Sequence, residues 1–493
     1  MSTTRFVLFI GLILLISACN PQEESNQRTA NFESGTIHDF INQPGLENAS
    51  IGIFVVDLMS DEIVFEYNSK TSLVPASTLK ILTSAAALET FGSDHTFKTT
   101  LAYSGKISEG RTLNKNLILM GGGDPVFLSP LFEDHYDNTI NEMVQEVQSS
   151  GIRWINGNVV GDGSYFGSPQ IPDTWIWEDI GNYYGAPAYG LNIYDNTYEV
   201  IFETKESGTK AKLKNISPVL PWLKFESKVI AAENNRDNAY IYGSNLSKNR
   251  LITGTIPQNR KSFMIKGSIP DPAIVAARQL LSGLKESGIG LSGEAASNYS
   301  EGKHTRLHKL LEIESPPLSD IIFQLNIKSI NLYAEALLLH LAKKESKNCS
   351  IEDGCKALTR FWENTGMNTS GLHLEDGSGL SRANAISAEQ LVFVLKHMHK
   401  NGKQSESFIR SLPQAGFSGS LKSFGKGTNL EGNLKAKSGY ISRVLNYTGY
   451  LASESGQELA IAVMVNNYNC SNSEMKKMLE EFFVSVVNKT GNP

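Results

Sequence analysis

The sequence predicts an α+β protein in which helices pack on an antiparallel sheet and a long central stretch is mostly β. Three observations carry that reading. After Pro75, Leu79, Leu82 and Ala86 form one helical stripe and Ile81, Ala85 and Leu88 a second, with no Gly or Pro before Phe91, so this helix is buried on all sides. Near the end of the chain, "KSGYISRVLNYTGYLA" and "ELAIAVMVNN" read as a pair of antiparallel strands around a polar turn at Ser453 to Gly456, and the amphipathic "SEMKKMLEEFFVSVVN" follows. Between these ends, "NLILMGGGDPVFL", "INGNVVGDGSYF" and "NYYGAPAYGLNIYDNTYEVIF" are short apolar or alternating runs broken by Gly, Asn and Pro.

The chain has 493 residues, enough for two or three domains. A formal charge of -6 and the absence of a dense Lys/Arg block leave no electrostatic footprint for nucleic acid. The chain opens with one Arg and an apolar stretch over residues 6–18, shorter than the roughly 20 residues a spanning helix needs, which marks a signal peptide. Ile16-Ser17-Ala18-Cys19 resembles the bacterial lipoprotein box, in which the cysteine is lipidated and becomes the new N-terminus; an ordinary secretory signal is the competing reading. Residues 19–34 are polar and suit a tether. Both readings send the protein out of the cytoplasm into the cell envelope.

Four cysteines are too few for a disulfide scaffold, although Cys349 and Cys355 can form a local bridge across "CSIEDGC". The nine histidines are scattered without HExxH or metal spacing, so neither a metal nor another cofactor is expected.

Ser77 and Lys80 stand three residues apart where the first helix begins. Ser77 is either an N-cap or a nucleophile with Lys80 as its base. The spacing stacks the two on one helix face, near backbone N–H groups whose field favours an alkoxide and a neutral amine. Spacing alone decides nothing, because Ser207/Lys210, Ser282/Lys285, Ser423/Lys426 and Ser473/Lys476 share it. A second cluster, Ser329-Ile330-Asn331, opens a helix with apolar positions from Leu332 to Leu341. Ser329 is a cap there or a proton relay, and the Asn331 amide can hold a carbonyl. For a third element the chain offers Lys489-Thr490-Gly491 at its end and Lys437-Ser438-Gly439 inside. The first follows the terminal helix, where Gly491 is a C-cap. The second opens a strand, where Lys437 and Ser438 can face a carboxylate and Gly439 admits a close backbone approach.

Ser-x-x-Lys, Ser-x-Asn and Lys-Ser/Thr-Gly in this order form the signature of penicillin-binding proteins and serine β-lactamases. The chain resembles the D-alanyl-D-alanine carboxypeptidase/endopeptidases, the class C low-molecular-mass penicillin-binding proteins, over nearly its whole mature length. Ser77 and Ser329 lie 252 residues apart, and Ser329 and Lys437 lie 108 apart. A β-lactamase has no room for the first gap. "LEDGSGLSRAN", residues 374–384, also looks like a family segment.

The resemblance implies a penicillin-binding/serine β-lactamase-like transpeptidase domain, an antiparallel sheet with helices, over residues 35–100 and 306–493, with two mostly β domains inserted at 101–305. It implies acylation of Ser77 by peptidoglycan stem peptides, D-Ala release or cross-bridge cleavage, and inhibition by β-lactams. Lys80, Ser329, Asn331 and Lys437 are the expected catalytic partners. Ser438, Gly439 and Tyr440 are expected to bind substrate, as are Asp162, Ser378 and Arg382 at the free end of a diaminopimelate side chain. Ile330 stands where Asp is commoner and Tyr440 where a small hydroxyl residue is usual. A penicillin hydrolase and a catalytically weak peptidoglycan-binding envelope lipoprotein are the alternatives.

Overall fold

The computed structural model describes residues 35–168, 170–300, 306–346, 349–453 and 456–490. The signal peptide, the lipidation site Cys19 and Gly491 lie outside them. Strands β1 (Ser50–Asp57) and β2 (Ile63–Tyr67) come first, before helix α1 (Lys80–Phe91). The chain then enters a second five-stranded sheet through β3 (Lys98–Ser104), β4 (Leu117–Gly121) and β5 (Val159–Asp162), and completes it with β6 (Ala295–Asn298) and β7 (Leu307–Glu314), in the order β6-β5-β4-β3-β7. Helix Thr139–Ser149 lies between β4 and β5, and further small sheets and the helix Pro272–Glu286 occupy the stretch between β5 and β6.

Helices α2 (Leu318–Lys328), α3 (Asn331–Glu345), α4 (Ile351–Asn364) and α5 (Ala388–Lys400) follow, then strands β8 (Leu434–Ile441), β9 (Val444–Ala452) and β10 (Glu458–Asn466), then helix α6 (Asn472–Thr490). The last three strands join the first two in one antiparallel sheet, ordered β8-β9-β10-β1-β2. The first and last parts of the chain therefore build one sheet, and β8 is its edge.

The period-two alternation of a strand explains how that sheet is covered. Ile51, Ile53 and Val55 of β1 point into a core shared with Leu479, Phe483 and Val487 of α6. Phe54 and Val56 point the other way, into the core that holds α1, α3 and α5. Helix α1 lies inside this second core with Lys80 to Leu88 all buried, as its two stripes predict. Among the described residues no helix is long and apolar enough to cross a membrane.

Three expectations are resolved by the backbone. Ser77 is not an N-cap: a 3-10 turn, Ala76–Leu79, precedes α1, and no side chain caps either element. Ser329 does not cap α3 either, because it terminates α2 in a left-handed conformation (φ 58°) and Ile330 occupies the N-cap of α3. The run read as one strand from Lys437 is two, β8 and β9, joined by a tight turn in which Arg443 takes φ 62°. That conformation usually selects Gly or Asn, so the turn carries no residue signal. Cys349 and Cys355 are free thiols; Cys349 Sγ donates to the Leu339 carbonyl at 3.2 Å, while Cys355 is buried in α4.

Candidate active site

The turn carrying Ser77 is held by the sheet. Asn446 of β9 donates to the carbonyls of Val74 and Pro75 at 2.9 and 2.8 Å. Asn466 of β10 accepts from Val74 N at 2.8 Å. Ala76 takes φ 46°, a left-handed conformation that costs a non-glycine residue on the order of 1–3 kcal/mol and persists only where its surroundings enforce it. On the other side β8 runs past the same turn. A Cβ on Gly439 would lie 2.5 Å from the Pro75 carbonyl and 3.0 Å from Ser77 N, so glycine is required by the backbone that carries Ser77. The sequence had suggested substrate approach as its reason.

Lys80 is fully buried, and its Nζ meets three oxygens: Ser77 Oγ at 3.0 Å, Asn331 Oδ1 at 2.5 Å and the Ser378 carbonyl at 2.7 Å. Two of these are carbonyl oxygens, which only accept. They engage two N–H bonds of a neutral amine and leave its lone pair for the Ser77 hydroxyl, which can donate. Burial lowers the Lys80 pKa to about 7, against the raising fields of Asp376 and Glu335. Asn331 is fixed in turn by its Nδ2, which donates to the Tyr184 carbonyl at 2.8 Å.

A second Ser–Lys pair lies beside the first. Buried Lys437 donates to Ser329 Oγ and to the Ser438 carbonyl, both at 2.9 Å. Burial holds its ammonium well below the usual lysine range, and the charge of Lys80 lowers it further. Ser438 Oγ donates to Ser420 Oγ at 2.6 Å. Tyr440, the next strand position on the same side, is 54% exposed. Ile330 is half-buried and packs against the apolar core, so an apolar side chain suits the place where Asp is commoner.

The remaining expected residues are placed differently. Ser378 is buried, and the group it brings to the cluster is its carbonyl. Asp162 ends β5, buried, with its oxygens accepting from Ser164 N at 2.9 Å and Asn298 Nδ2 at 3.0 Å. Arg382 is exposed and acts electrostatically on Asp179, whose carboxyl burial raises while Arg382 and the Tyr184 hydroxyl pull it back. Lys489, the rival of Lys437, sits in the last turn of α6, while Lys437 is within β8.

Sequence reasoning missed Ser420, Asn446, Asn466, Glu335 and Asp376. The two asparagines had a signal, since each interrupts an apolar strand and a buried amide needs partners. No group of three or more His, Cys, Asp or Glu side chains among the described residues is placed to hold a metal ion. Two grooves, of about 640 and 480 Å³, lie along the helices Thr139–Ser149 and Pro272–Glu286 and include no member of this cluster.

A family model described as the D-Ala-D-Ala carboxypeptidase 3 (S13) family matches residues 34–485. Among curated relatives, a D-alanyl-D-alanine carboxypeptidase of Actinomadura sp. (strain R39) is 27% identical over 446 residues, covering 88% of this chain and 80% of its own. D-alanyl-D-alanine carboxypeptidase DacB of Haemophilus influenzae is 27% identical over 435 residues, covering 87% and 88%. The crystal structure of penicillin binding protein 4 (dacB) from Haemophilus influenzae matches with a TM-score of 0.78 at 25% identity, over 93% of this chain and 99% of that one. A second structure of that protein is complexed with a novel β-lactam and matches with a TM-score of 0.75. The architecture is the α+β fold of penicillin-binding proteins.

Proposed function

The chain belongs to the D-Ala-D-Ala carboxypeptidase 3 (S13) family and is a serine-type D-Ala-D-Ala carboxypeptidase, and from that premise we propose that Ser77 carries the acyl group. The observation that supports this reading most strongly is the arrangement around Lys80. Two acceptor-only carbonyls and one hydroxyl surround an amine whose pKa is near 7. Neutral Lys80 takes the Ser77 proton as Oγ attacks the carbonyl carbon of the penultimate D-Ala. Negative charge on the carbonyl oxygen is met by the backbone N–H groups of Ser77 and Tyr440. The peptide C–N bond then breaks, and the leaving amine of the terminal D-Ala receives a proton through Ser329, with Lys437 as its partner. Water attacks the resulting ester and Ser77 regains its proton.

The same chemistry extends to cross-bridge cleavage, in which the leaving amine belongs to a neighbouring stem peptide, and to β-lactams, whose strained amide acylates Ser77 without a departing group. Ser438, with Ser420 behind it, and Lys437 receive the substrate carboxylate, while Asp162 and Arg382 serve the free end of a diaminopimelate side chain. We place the inserted, mostly β domains at residues 101–305. Export to the periplasmic side of the envelope follows from the apolar leader, and membrane attachment from lipidation at Cys19. Cys19→Ser is expected to move the protein from the membrane pellet to the soluble fraction with D-Ala release intact; a variant that stays in the pellet after a salt wash has another attachment.

Incubating the purified soluble portion with a labelled penicillin tests the function. Stable labelling is the expected result. Rapid turnover of the label would make the protein a β-lactamase, and no labelling would make it a binding protein.

A further inference from the structure

The loop that supplies the Ser378 carbonyl is gripped from two sides. Helix α1 donates to its carbonyls: Thr83 Oγ1 to Gly377 O and Lys80 Nζ to Ser378 O, both at 2.7 Å. Helix α3 accepts from its N–H groups through one carboxylate. Glu335 Oε1 takes Ser378 N at 2.8 Å and Gly377 N at 3.2 Å, and Oε2 takes Gly377 N at 3.2 Å. The loop packs closely on α3, since a Cβ on Gly377 would lie 2.9 Å from the Ala334 carbonyl. Glu335 stands four residues after Asn331, on the same helix face, so one face of α3 reaches Lys80 twice: directly through Asn331 and across one residue of loop through Glu335.

A buried carboxylate is an expensive way to hold two N–H groups, because taking its charge out of water is strongly unfavourable. Its neighbours show where the charge is felt. Around Lys80 and Glu335 stand Asp376 of the same loop, Lys437 of β8 and Cys355 of α4. Lys80 feels raising fields from both Asp376 and Glu335. Burial and Asp376 push the Glu335 carboxyl upward, against the loop N–H groups and Lys80. All its hydrogen-bond partners given above are donors, which suits the ionised form.

We infer that Glu335 is a positioning residue for the reaction: it fixes the loop so that the Ser378 carbonyl occupies one N–H of Lys80, and its negative charge raises the pH at which Lys80 becomes a free base. The inference rests on the role proposed for Lys80. It has its own readout, because loss of acylation in Ser77→Ala concerns the nucleophile while the position of the pH limb concerns the base.

The test is the rate of acylation by a labelled penicillin between pH 5 and 9. Glu335→Gln keeps the shape and an acceptor oxygen but removes the charge. Its acid limb should move down by about one pH unit, as expected for losing an anion that reaches Lys80 across a single loop residue. Its plateau should fall by about threefold, because a base weaker by about one pKa unit accepts the proton less well and general-base rates follow base strength only in part. Glu335→Asp withdraws the charge by one methylene and should move the limb in the same direction by less. Thr83→Val removes only a loop contact, so its plateau should fall with the limb in place. A limb that is unmoved or raised in Glu335→Gln, or in Glu335→Asp should the Gln variant fail to fold, would overturn the inference and leave Glu335 as loop packing.

Discussion

The two Ser–Lys pairs of this site use the same side chains in different surroundings. Ser77 and Lys80 are one helical turn apart, and Lys80 lies within the fields of two carboxylates, Glu335 and Asp376. Ser329 and Lys437 are 108 residues apart and meet only because β8 runs beside the junction of α2 and α3, and the charge acting most on Lys437 is the cation of Lys80. Two buried ammonium groups this close disfavour each other, and the acids lie on the Lys80 side. The pairs are therefore not interchangeable: Lys80 has two carboxylates acting on it and a pKa lowered to about 7, whereas burial and the charge of Lys80 both push Lys437 below the usual lysine range.

The largest expected effect breaks the first pair. Ser77→Ala should abolish acylation and D-Ala release, a loss of about a millionfold when a covalent nucleophile is removed. The fold should survive, because the side chain caps no helix. A folded variant that still forms the penicillin adduct would remove Ser77 from the mechanism.

Breaking the second pair should cost less. Lys437→Ala should lower D-Ala release by roughly a hundred to ten thousandfold, the range of a lost proton-transfer partner. Lys489→Ala, in the last turn of α6, should leave it nearly unchanged. Equal losses at matched folding would show that the interior Lys-Ser-Gly is not the third element.

That choice of lysine shows how much of the site was legible. Ser77 and Lys80 could be read because one helical turn joins them. Ser329-Ile330-Asn331 and Lys437-Ser438-Gly439 gained meaning only in combination and in order. Glu335 left no mark, because its partners are backbone N–H groups 42 and 43 residues away, and a carboxylate on a helix ordinarily faces water. The buried first helix and the terminal helix were legible from periodicity. The turn between β8 and β9 was not, since Arg443 adopts a conformation that its side chain does not announce.

The comparison is sharpened by a substitution outside both pairs. Asp162→Ala should lower kcat/KM on diaminopimelate-containing peptides by roughly ten to a hundredfold, the worth of a charge-assisted contact of about 1.5–3 kcal/mol. Acylation by a simple penicillin should be nearly unchanged. Equal losses on both substrates would assign Asp162 to its contacts with Ser164 and Asn298, a structural role.

The smallest effect is a matter of pH. Lys80 must be neutral to take a proton, and burial lowers its pKa to about 7. Acylation should therefore fall about tenfold per unit as pH drops below that value, and level off above it. A rate that rises toward acid would mean that Lys80 acts as a cation.

The central claim is that the acyl group resides on Ser77. The most direct measurement is mass spectrometry of the penicillin-labelled protein after tryptic digestion. The account predicts one modified peptide, "TSLVPASTLK", residues 71–80, with the label on Ser77. Label on Ser329, or on any peptide outside residues 71–80, would contradict it.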